Sequence, residues 1–371
     1  MNGPILEAKN VQVKRGGVPF LDIPSLLIET GEILSLIGPN GAGKTTLLLT
    51  LSCLTRRVSG EILFRGKRMD SSSSVFQYRR NLAMVFQEPL LFDTTVFNNV
   101  ASGLRIRGTD RGEIRRTVLG HLDRFGIGHL SQRSARTLSG GEAQRTSLGR
   151  AFAIKPEILF LDEPFAALDP PTRESLVEDL EAILRETKTT TVFATHDRLE
   201  SLRLSDRIAV MDQGRILQIG SPDVVMNHPL DEHVASFVGV ETILGGRVIR
   251  ESHGSFVVLC SGSEIEAVGD ARVGESVALC IRPENVILSI NTTGEETSAR
   301  NVFSGKIVKI TPMGFFHKVQ MDCGFPLVAY VTNHSLDNLL LAEGKEVMAY
   351  FKATAIHVVK RKELRSSGTS L

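Results

Sequence analysis

The sequence predicts two domains of different class, a parallel α/β domain over residues 1–238 and an all-β, barrel-like domain over residues 239–371. Three observations support this prediction. Short apolar runs alternate with helical patterns as far as about residue 238. The glycine-rich segment GPNGAGKT, Gly38–Thr45, stands between an apolar run and a helical pattern. Beyond Val240, short β-like runs alternate with turns rich in Gly, Asn and Asp.

The composition is that of a globular chain long enough for two domains, with 371 residues of which 42% are hydrophobic. The formal net charge of +1 gives no indication of nucleic-acid binding. The N-terminus lacks the pattern of a signal peptide, and no segment has the roughly 18–20 apolar residues of a membrane span. The four cysteines, Cys53, Cys260, Cys280 and Cys323, are far apart and form no CxxC pair, so no zinc site or disulfide framework is expected. This cysteine usage is consistent with a protein of the reducing cytosol.

The elements of the first domain are predicted from apolar runs and turn residues. Ile33–Ile37 is predicted to be a buried strand that leads into the glycine-rich turn, and Thr45–Leu54 the helix that leaves it. Ile158–Leu161 and Thr190–Ala194 are predicted to be further buried strands. From about residue 88 to 150 the sequence is charged and has a helical pattern, which predicts an inserted helical subdomain. Ser71–Ser74 is predicted to be a polar loop.

The segment GPNGAGKT fits the phosphate-binding pattern GxxxxGK[ST]. Glycines let backbone N–H groups turn toward phosphate oxygens, and the start of the following helix adds its positive end. Lys44 is expected to reach the β- and γ-phosphates, and Thr45 to ligate Mg²⁺. The expected nucleotide-binding segment is Gly38, Pro39, Asn40, Gly41, Ala42, Gly43, Lys44, Thr45 and Thr46.

An Asp-Glu pair ends the apolar run ILFL. An isolated pair of this kind is usually a solvated turn, but a carboxylate at the end of a buried strand is costly unless it has a partner. Asp162 is therefore expected to hold Mg²⁺ beside the phosphates. Glu163 follows it directly.

Three motifs in this order, GPNGAGKT, LSGGEAQR at Leu138–Arg145 and ILFLDE at Ile158–Glu163, resemble the nucleotide-binding subunits of ABC transporters. The resemblance implies that Glu163 polarises the attacking water as general base. It implies that Gln87, in VFQEP, contacts Mg²⁺ and this water, and that His196, in ATHD, faces the γ-phosphate. Asp169 would belong to a loop that crosses between subunits.

The LSGGEAQR segment precedes a helix that is expected to start near Glu142, and exposed amides at a helix start bind anions. In the ABC family this surface caps the γ-phosphate bound to the opposite chain. The resemblance therefore implies a homodimer that encloses two ATP molecules, with each contact made by Ser139, Gly140, Gly141 and Glu142.

One position departs from the family pattern. Many members place an aromatic side chain near the end of the first strands, where it stacks on adenine. Here the stretch reads VQVKRGGVPF, with Arg15 at the expected place and Phe20 as the nearest aromatic residue. Two alternatives remain, in which either the Arg15 guanidinium or the Phe20 ring stacks on the base.

The second domain contains an internal repeat. Gly246–Gly254 is similar to Gly305–Gly314, and Val273–Leu288 to Glu343–Val359. Two related barrel-like halves of OB type, 242–292 and 297–362, are expected. The second half is longer, which predicts an insertion at about 332–341 with a short helix near Ser335–Leu340.

The last third resembles the TOBE region of ABC importers through IRPENVIL, and its second half resembles molybdate-binding barrels through SARNVFSGKIVKI, VTNHS and FKATAIHVV. A tetrahedral dianion needs convergent hydrogen-bond donors and one or two cations. The resemblance implies an oxyanion site at Ser298, Arg300, Thr332, Ser335 and Lys352, although each of these residues is also suited to a turn or to the barrel surface.

These resemblances imply the ATPase subunit of a molybdate or tungstate importer, bound to membrane permease subunits at the cytoplasmic face of the membrane. An external binding protein would deliver the substrate, and cytosolic oxyanion would inhibit the machine. The nearest alternative is the same machine for sulfate, iron or a sugar. A soluble ABC ATPase acting on DNA or ribosomes, or a regulator with an inactive ATPase, fits the motifs less well.

Overall fold

The computed structural model describes residues 3–55, 58–252, 254–290 and 297–361. The chain divides into two compact units, residues 1–222 and 223–371. The expected ends of the two C-terminal halves, at 292 and 362, lie outside the described residues, as do residues 362–371 of the expected second domain.

The first unit contains ten strands and seven helices among its described residues. Its strands are β1 Leu6–Arg15, β2 Val18–Ile28, β3 Ile33–Ile37, β4 Val58–Phe64, β5 Lys67–Arg68, β6 Leu82–Val85, β7 Ile158–Asp162, β8 Thr190–Thr195, β9 Arg207–Asp212 and β10 Arg215–Gly220. Its helices are α1 Lys44–Leu51, α2 Ser72–Arg80, α3 Val96–Ile106, α4 Arg111–Arg124, α5 Gly140–Ala153, α6 Pro170–Thr187 and α7 Arg198–Leu204.

The strands form a six-stranded sheet in the order β10-β9-β3-β8-β7-β6 and a four-stranded antiparallel sheet in the order β2-β1-β4-β5. In the larger sheet only the edge strand β10 runs antiparallel to its neighbour. The three predicted apolar strands are confirmed as β3, β7 and β8, which lie side by side with every residue buried. Continuous apolar strands are expected in a parallel sheet that is covered on both faces.

Alternate residues of the larger sheet face two separate cores. Leu159 and Leu161 of β7 pack in a core that includes the apolar sides of helices α3–α6. Ile158 and Phe160 of the same strand face a second core, with Leu47 of α1 and apolar residues of the antiparallel sheet. The period of two along β7 thus places the sheet between two layers.

Two predictions of local structure need correction. Helix α1 ends at Leu51 and not at Leu54, because Cys53 adopts a left-handed φ of 56° that stops the helix. The Ser71–Ser74 segment is not a loop but the start of α2. The Ser71 hydroxyl accepts from the Ser74 amide at 3.1 Å, and the Ser74 hydroxyl accepts from the Ser71 amide at 3.1 Å, which forms a capping box.

The predicted inserted helical segment contains α3, α4 and α5, whose apolar sides pack together through Val100, Val118 and Leu148. Helices α3 and α4 begin at side-chain caps, Thr95 and Asp110. Helix α5 begins at Gly140, two residues before the expected start near Glu142.

The second unit contains ten strands in two five-stranded antiparallel sheets, with three short helices along the described part of this segment. Its helices are α8 Pro222–Asn227, which begins at the division between units, α9 Glu232–Phe237 and α10 Asn333–Asn338. Its strands are β11 Thr242–Ser252, β12 Ser255–Cys260, β13 Ser263–Val268, β14 Ser276–Ile281, β15 Ile287–Ser289, β16 Asn301–Pro312, β17 Phe316–Asp322, β18 Pro326–Thr332, β19 Glu346–Phe351 and β20 Ile356–Lys360.

The internal repeat of the sequence corresponds to a structural repeat. The sheets have the orders β13-β12-β11-β14-β20 and β15-β19-β16-β17-β18, so each half contributes its last strand to the sheet of the other half. Both halves carry a β-bulge at the equivalent place, between Val248 and Arg250 in β11 and between Ile307 and Lys309 in β16. The predicted insertion is helix α10. The predicted fold class, a parallel α/β unit with inserted helices followed by an all-β unit, is confirmed.

The division after Pro222 places α8 and α9 with the β unit, whereas the sequence places the boundary at 238. Hydrogen bonds within the second unit account for this difference. The Arg282 guanidinium donates to the Met226 carbonyl, and Nε2 of His357 donates to the Pro229 carbonyl at 2.8 Å. Such side-chain donors satisfy carbonyls near the end of a short helix.

We predict that Gly246→Ala destabilises the second unit by about 1–3 kcal/mol, because a Cβ at this position would lie 2.5 Å from Cys260 Sγ and 2.6 Å from the Leu259 carbonyl oxygen. Denaturant unfolding of the full chain measures the effect. Gly120→Ala, in α4, is the control, because no heavy atom outside the neighbouring backbone of its own helix lies within 4 Å of its added Cβ, and helix propensity should raise its stability by up to about 1 kcal/mol. Equal stability of the two variants would contradict the close packing at Gly246.

Candidate active site

The glycine-rich loop joins β3 to α1 and is closed by a tight backbone approach. Gly38 has φ 155°, and a Cβ there would lie 2.1 Å from the carbonyl oxygen of Met211. A residue with a side chain would therefore displace the loop from β9. Helix α1 begins at Lys44, so the free amides of its first turn lie at the end of this loop.

Lys44 is buried inside the loop. Its ammonium donates to the Gly38 carbonyl at 2.8 Å and the Pro39 carbonyl at 3.2 Å, and it lies 3.7 Å from Glu163 Oε1. Burial lowers the pKa of Lys44, and the nearby Glu163 carboxylate opposes that shift. The loop thus holds a cation whose charge is poorly solvated, an arrangement that favours binding of phosphate oxygens.

Asp162 ends β7 and is only 6% exposed. Its Oδ1 accepts a hydrogen bond of 2.9 Å from the Thr45 hydroxyl. Burial raises the pKa of Asp162, and the Thr45 hydrogen bond opposes that shift. A hydroxyl and a carboxylate in contact are the oxygen ligands that Mg²⁺ prefers, and a cation beside them would relieve the cost of the buried charge.

Glu163 and His196 meet at the same sheet edge. Glu163 adopts a left-handed φ of 44°, and its amide donates to the Ala194 carbonyl at 2.9 Å. This turn directs Oε2 to within 3.0 Å of Nδ1 of His196. A non-glycine residue in this conformation is strained, and such strain concentrates at functional sites.

A cavity of about 350 Å³ lies against the loop. Its lining residues include most of the expected nucleotide-binding segment, and the full set is Phe20, Asn40, Gly41, Ala42, Gly43, Lys44, Thr45, Thr46, Gln87 and Glu163. Of the two alternatives for adenine, the Phe20 ring lines the cavity, and the Arg15 guanidinium lies 5.1 Å from the centroid of that ring. Arg15 therefore stacks on Phe20, and the two side chains form one surface.

Gly214, which no recognised sequence motif contains, supports the loop from the β9–β10 hairpin. Its amide donates to the Ala42 carbonyl at 2.9 Å, and its carbonyl accepts from the Asp22 amide at 2.8 Å. The hairpin thus fixes the glycine-rich loop relative to β2, the strand that carries Phe20. The Gln-Gly pair between two strand patterns was the available signal.

The LSGGEAQR segment lies at the start of α5. The Ser139 hydroxyl accepts from the Glu142 amide at 3.3 Å, and the Glu142 carboxylate accepts from the Ser139 amide at 2.7 Å. This hydrogen bond lowers the pKa of Glu142. Ser139 and Gly140 are exposed, and among the described residues the LSGGEAQR segment contributes none to the lining of the cavity.

Asp169 is exposed and caps α6 by accepting from the Thr172 amide at 3.2 Å. Gly141 lies close to the same turn, since a Cβ on Gly141 would be 2.5 Å from Cγ2 of Thr172. The start of the LSGGEAQR segment and the turn at Asp169, both of which are predicted to contact a partner chain, are therefore adjacent within one chain.

The expected oxyanion residues occupy two places in the second unit. Thr332 caps α10, with its hydroxyl 3.0 Å from that of Ser335. Lys352 lines a different cavity of about 420 Å³ together with Thr297 and Ala299. The predicted Ser298 and Arg300 flank Ala299 in sequence and are exposed. Within residues 297–361, no hydrogen bond or ion pair joins Lys352 to Thr332 or Ser335.

Comparisons with known proteins identify the family of the chain. Residues 21–166 match the family model for the ABC transporter, and residues 297–358 match that for the TOBE domain. A molybdate/tungstate import ATP-binding protein, WtpC of Pyrococcus horikoshii, is 37% identical over 89% of this chain and 93% of its own length. The chain belongs to the ABC transporter family. As an ABC ATP-binding protein it binds ATP and is an ATPase coupled to transport.

Other ABC proteins are similar over much of the chain. A spermidine/putrescine import ATP-binding protein, PotA of Clostridium novyi, is 36% identical over 76% of this chain and 80% of its own length. The structure of cbiO1 from Clostridium perfringens, part of the ABC transporter complex cbiONQ, superposes with a TM-score of 0.57 at 30% identity. It covers 64% of this chain and 96% of cbiO1. In the described ranges of this ABC protein, no helix has both the length and the apolar character needed to cross a bilayer.

We predict that Asp162→Asn raises the melting temperature of the nucleotide-free protein at pH 7 and abolishes ATP hydrolysis. Because burial raises the pKa of Asp162, its ionised form destabilises the fold at pH values above that pKa. As the pH falls through the raised pKa, Asp162 takes up a proton, so the advantage of Asn should shrink. Melting curves between pH 7 and pH 4 test this, and a lower melting temperature for Asp162→Asn at pH 7 would contradict it.

Proposed function

We propose that the protein is the ATPase subunit of an importer for molybdate or tungstate, bound to membrane permease subunits at the cytoplasmic face of the membrane. An external binding protein would supply the substrate. The observation that carries the ATPase part is the 3.0 Å contact between Glu163 and His196, next to the buried Lys44. The substrate part is supported by a molybdate/tungstate import protein 37% identical over 89% of this chain.

Hydrolysis follows from the chemistry of these side chains. Lys44 and the amides at the start of α1 bind the β- and γ-phosphates and neutralise their charge. Glu163 accepts a proton from a water molecule as the water oxygen attacks the γ-phosphorus, and the bond to the ADP oxygen breaks. His196, in contact with Glu163, orients this carboxylate and faces the γ-phosphate.

The Thr45 hydroxyl and the Asp162 carboxylate fit a bound Mg²⁺ ion, and Gln87 lines the same cavity as a third oxygen donor. When bound, Mg²⁺ supplies positive charge to the phosphate oxygens. These residues would hold it, and the hydrogen bond from Thr45 keeps the Asp162 carboxylate beside the first turn of α1.

We propose further that two chains form a head-to-tail homodimer. Ser139, Gly140 and Asp169 are exposed, and the start of α5 presents free amides. The Ser139 hydroxyl and these amides suit the γ-phosphate held by a partner chain, which they would cap, and Asp169 would lie in the loop that crosses between the subunits. ATP would then act as the link between the two subunits, and hydrolysis would reopen the dimer.

We predict that Glu163→Gln abolishes ATP turnover and accumulates as an ATP-dependent dimer, because ATP bound between the subunits is no longer cleaved. Light scattering with size-exclusion chromatography measures the dimer, and the same protein without ATP should be monomeric. A Glu163→Gln chain that stays monomeric with ATP, alone and with its permease, would overturn the head-to-tail dimer.

Two serine caps provide a matched control for this dimer. Ser139→Ala, added to Glu163→Gln, should weaken the ATP-dependent dimer at least tenfold. The control is Ser71→Ala, also added to Glu163→Gln, which removes a capping box of the same kind from α2. Each serine substitution therefore costs about 1 kcal/mol of helix stability. Equal dimerisation of the two double variants would show that Ser139 acts only as a cap.

The second unit is proposed to bind the transported oxyanion. Arg300, Lys352 and Ser298 supply two cations and a hydroxyl at one place, and Thr332 and Ser335 supply hydroxyls at another. All five would serve one tetrahedral dianion if two chains share the site and each contributes one of the two places. Sulfate is the second candidate, because a sulfate/thiosulfate import protein is 34% identical over 95% of this chain. The polyamines named for other relatives carry positive charge, which Arg300 and Lys352 would repel.

Oxyanion bound to two second units would hold the ATP domains of the dimer apart and so inhibit further import. We predict that molybdate or tungstate binds the full chain, and that Arg300→Ala combined with Lys352→Ala weakens this binding at least tenfold by isothermal calorimetry. Lys309→Ala, an exposed lysine of β16, is the control. Unchanged affinity in the double variant would contradict the site, and tighter binding of sulfate than of molybdate would favour the second candidate.

A further inference from the structure

The first turn of α6 contacts two segments that are distant in sequence. On one side, Asp169 caps the helix through the Thr172 amide, and the Thr172 methyl group lies against Gly141 at the start of α5. On the other side, Arg173 of the same turn faces the segment that follows His196. One helical turn therefore lies between the start of α5 and the segment that carries His196.

Arg173 lies beside two carboxylates that follow His196 and forms a hydrogen bond with one of them. Its Nη1 donates to Asp197 Oδ2 at 3.4 Å, and its Nε lies 4.0 Å from Glu200 Oε1. Asp197 also caps α7, since its Oδ1 accepts from the Leu199 amide at 2.8 Å. The position of α7 and of the turn before it is thus connected to α6 through one guanidinium.

The hydroxyl of Thr195, which precedes His196, forms hydrogen bonds with two residues that follow it. It donates to Glu200 Oε2 at 2.5 Å and accepts from the Asp197 amide at 3.0 Å. Thr195 is 2% exposed and Glu200 8% exposed, so these bonds are shielded from water. A buried carboxylate that has one hydroxyl donor and one distant guanidinium is costly, which indicates that it serves a purpose beyond stability.

We propose that Arg173, Thr195 and Glu200 are positioning residues that hold the His196 ring against Glu163, and that they make this position depend on the first turn of α6. The inference rests on the proposed roles of Glu163 and His196 in hydrolysis. Because Gly141 and Asp169 lie at the same turn, contact of a partner chain with that surface would be transmitted to the ring. The chain would then hydrolyse ATP faster when the dimer is closed.

A comparison of two arginines tests this proposal. Arg203 of α7 also joins α7 to α6, through Glu174 and through Glu181 at 2.8 Å, but no hydrogen bond or ion pair within residues 58–252 joins it to Asp197 or Glu200. Arg173→Gln should lower kcat for ATP about tenfold with KM for ATP within about twofold. Arg203→Gln should leave both constants within about twofold. The proposal would be overturned if both variants lost kcat to the same extent, or if each loss of kcat simply followed the decrease in melting temperature of that variant.

A second readout does not depend on hydrolysis. The ring 13Cε1 resonance of His196, assigned by its loss in His196→Ala, is recorded in the full chain labelled at histidine. The chemical shift of this resonance should change in Arg173→Gln and in Thr195→Val. It should keep the value of the unmodified chain in Thr195→Ser, which retains the hydroxyl, and in Arg203→Gln. An unshifted resonance in Arg173→Gln would overturn the positioning role. If Arg173→Gln does not fold, Glu200→Gln replaces it, since it keeps the shape of the side chain and removes the charge.

The two readouts separate this inference from the proposed function. If His196→Ala hydrolyses ATP at the full rate, the proposed role of His196 is wrong, and the resonance still reports whether the ring is held. If His196→Ala is impaired and the resonance does not respond to Arg173→Gln, only the positioning inference is wrong.

Discussion

Parallel pairing of β3, β8 and β7 is the constraint on which the active site depends. In this register Ile37 lies opposite Thr195, and Asp162 lies opposite Ala194. The carboxyl ends of the three strands therefore share one edge, where the glycine-rich loop, the Asp-Glu pair and His196 follow directly. The apolar residues that fill these strands fix the positions of polar side chains that are far apart in sequence.

The site contains two buried ionisable groups, Lys44 and Asp162, and burial of their charged forms is energetically unfavourable. Burial lowers the pKa of Lys44 and raises that of Asp162, so each group is held in a form that water would stabilise better. Glu163 stands 3.7 Å from the Lys44 ammonium and 3.0 Å from the His196 ring. In the proposed reaction, phosphate oxygens bound to Lys44 would compete with Glu163 for this cation and would free the carboxylate to accept a proton from water.

The sequence predicted the buried strands and the glycine-rich loop because continuous apolar runs and a fixed motif leave few alternatives. It did not predict α2, since a run of serines suits both a loop and the capping box that Ser71 forms. Nor did the repeat reveal that β15 and β20 exchange between sheets, because strand pairing depends on the tertiary partner. The hydrogen bond from Thr195 to Glu200 was also hidden, since it joins two residues with no recognised motif between them.

Ser139 combines a structural role with the binding role proposed for it. Its hydroxyl oxygen accepts from the Glu142 amide and so stabilises the start of α5, but a hydroxyl also has one proton to donate. That proton remains available for a phosphate oxygen, as do the amides of Gly140 and Gly141. The Glu142 carboxylate, which would repel phosphate, is turned back to the Ser139 amide at 2.7 Å and lies 3.6 Å from Arg133. The bonds that begin the helix therefore leave donors suited to the proposed anion at an exposed surface.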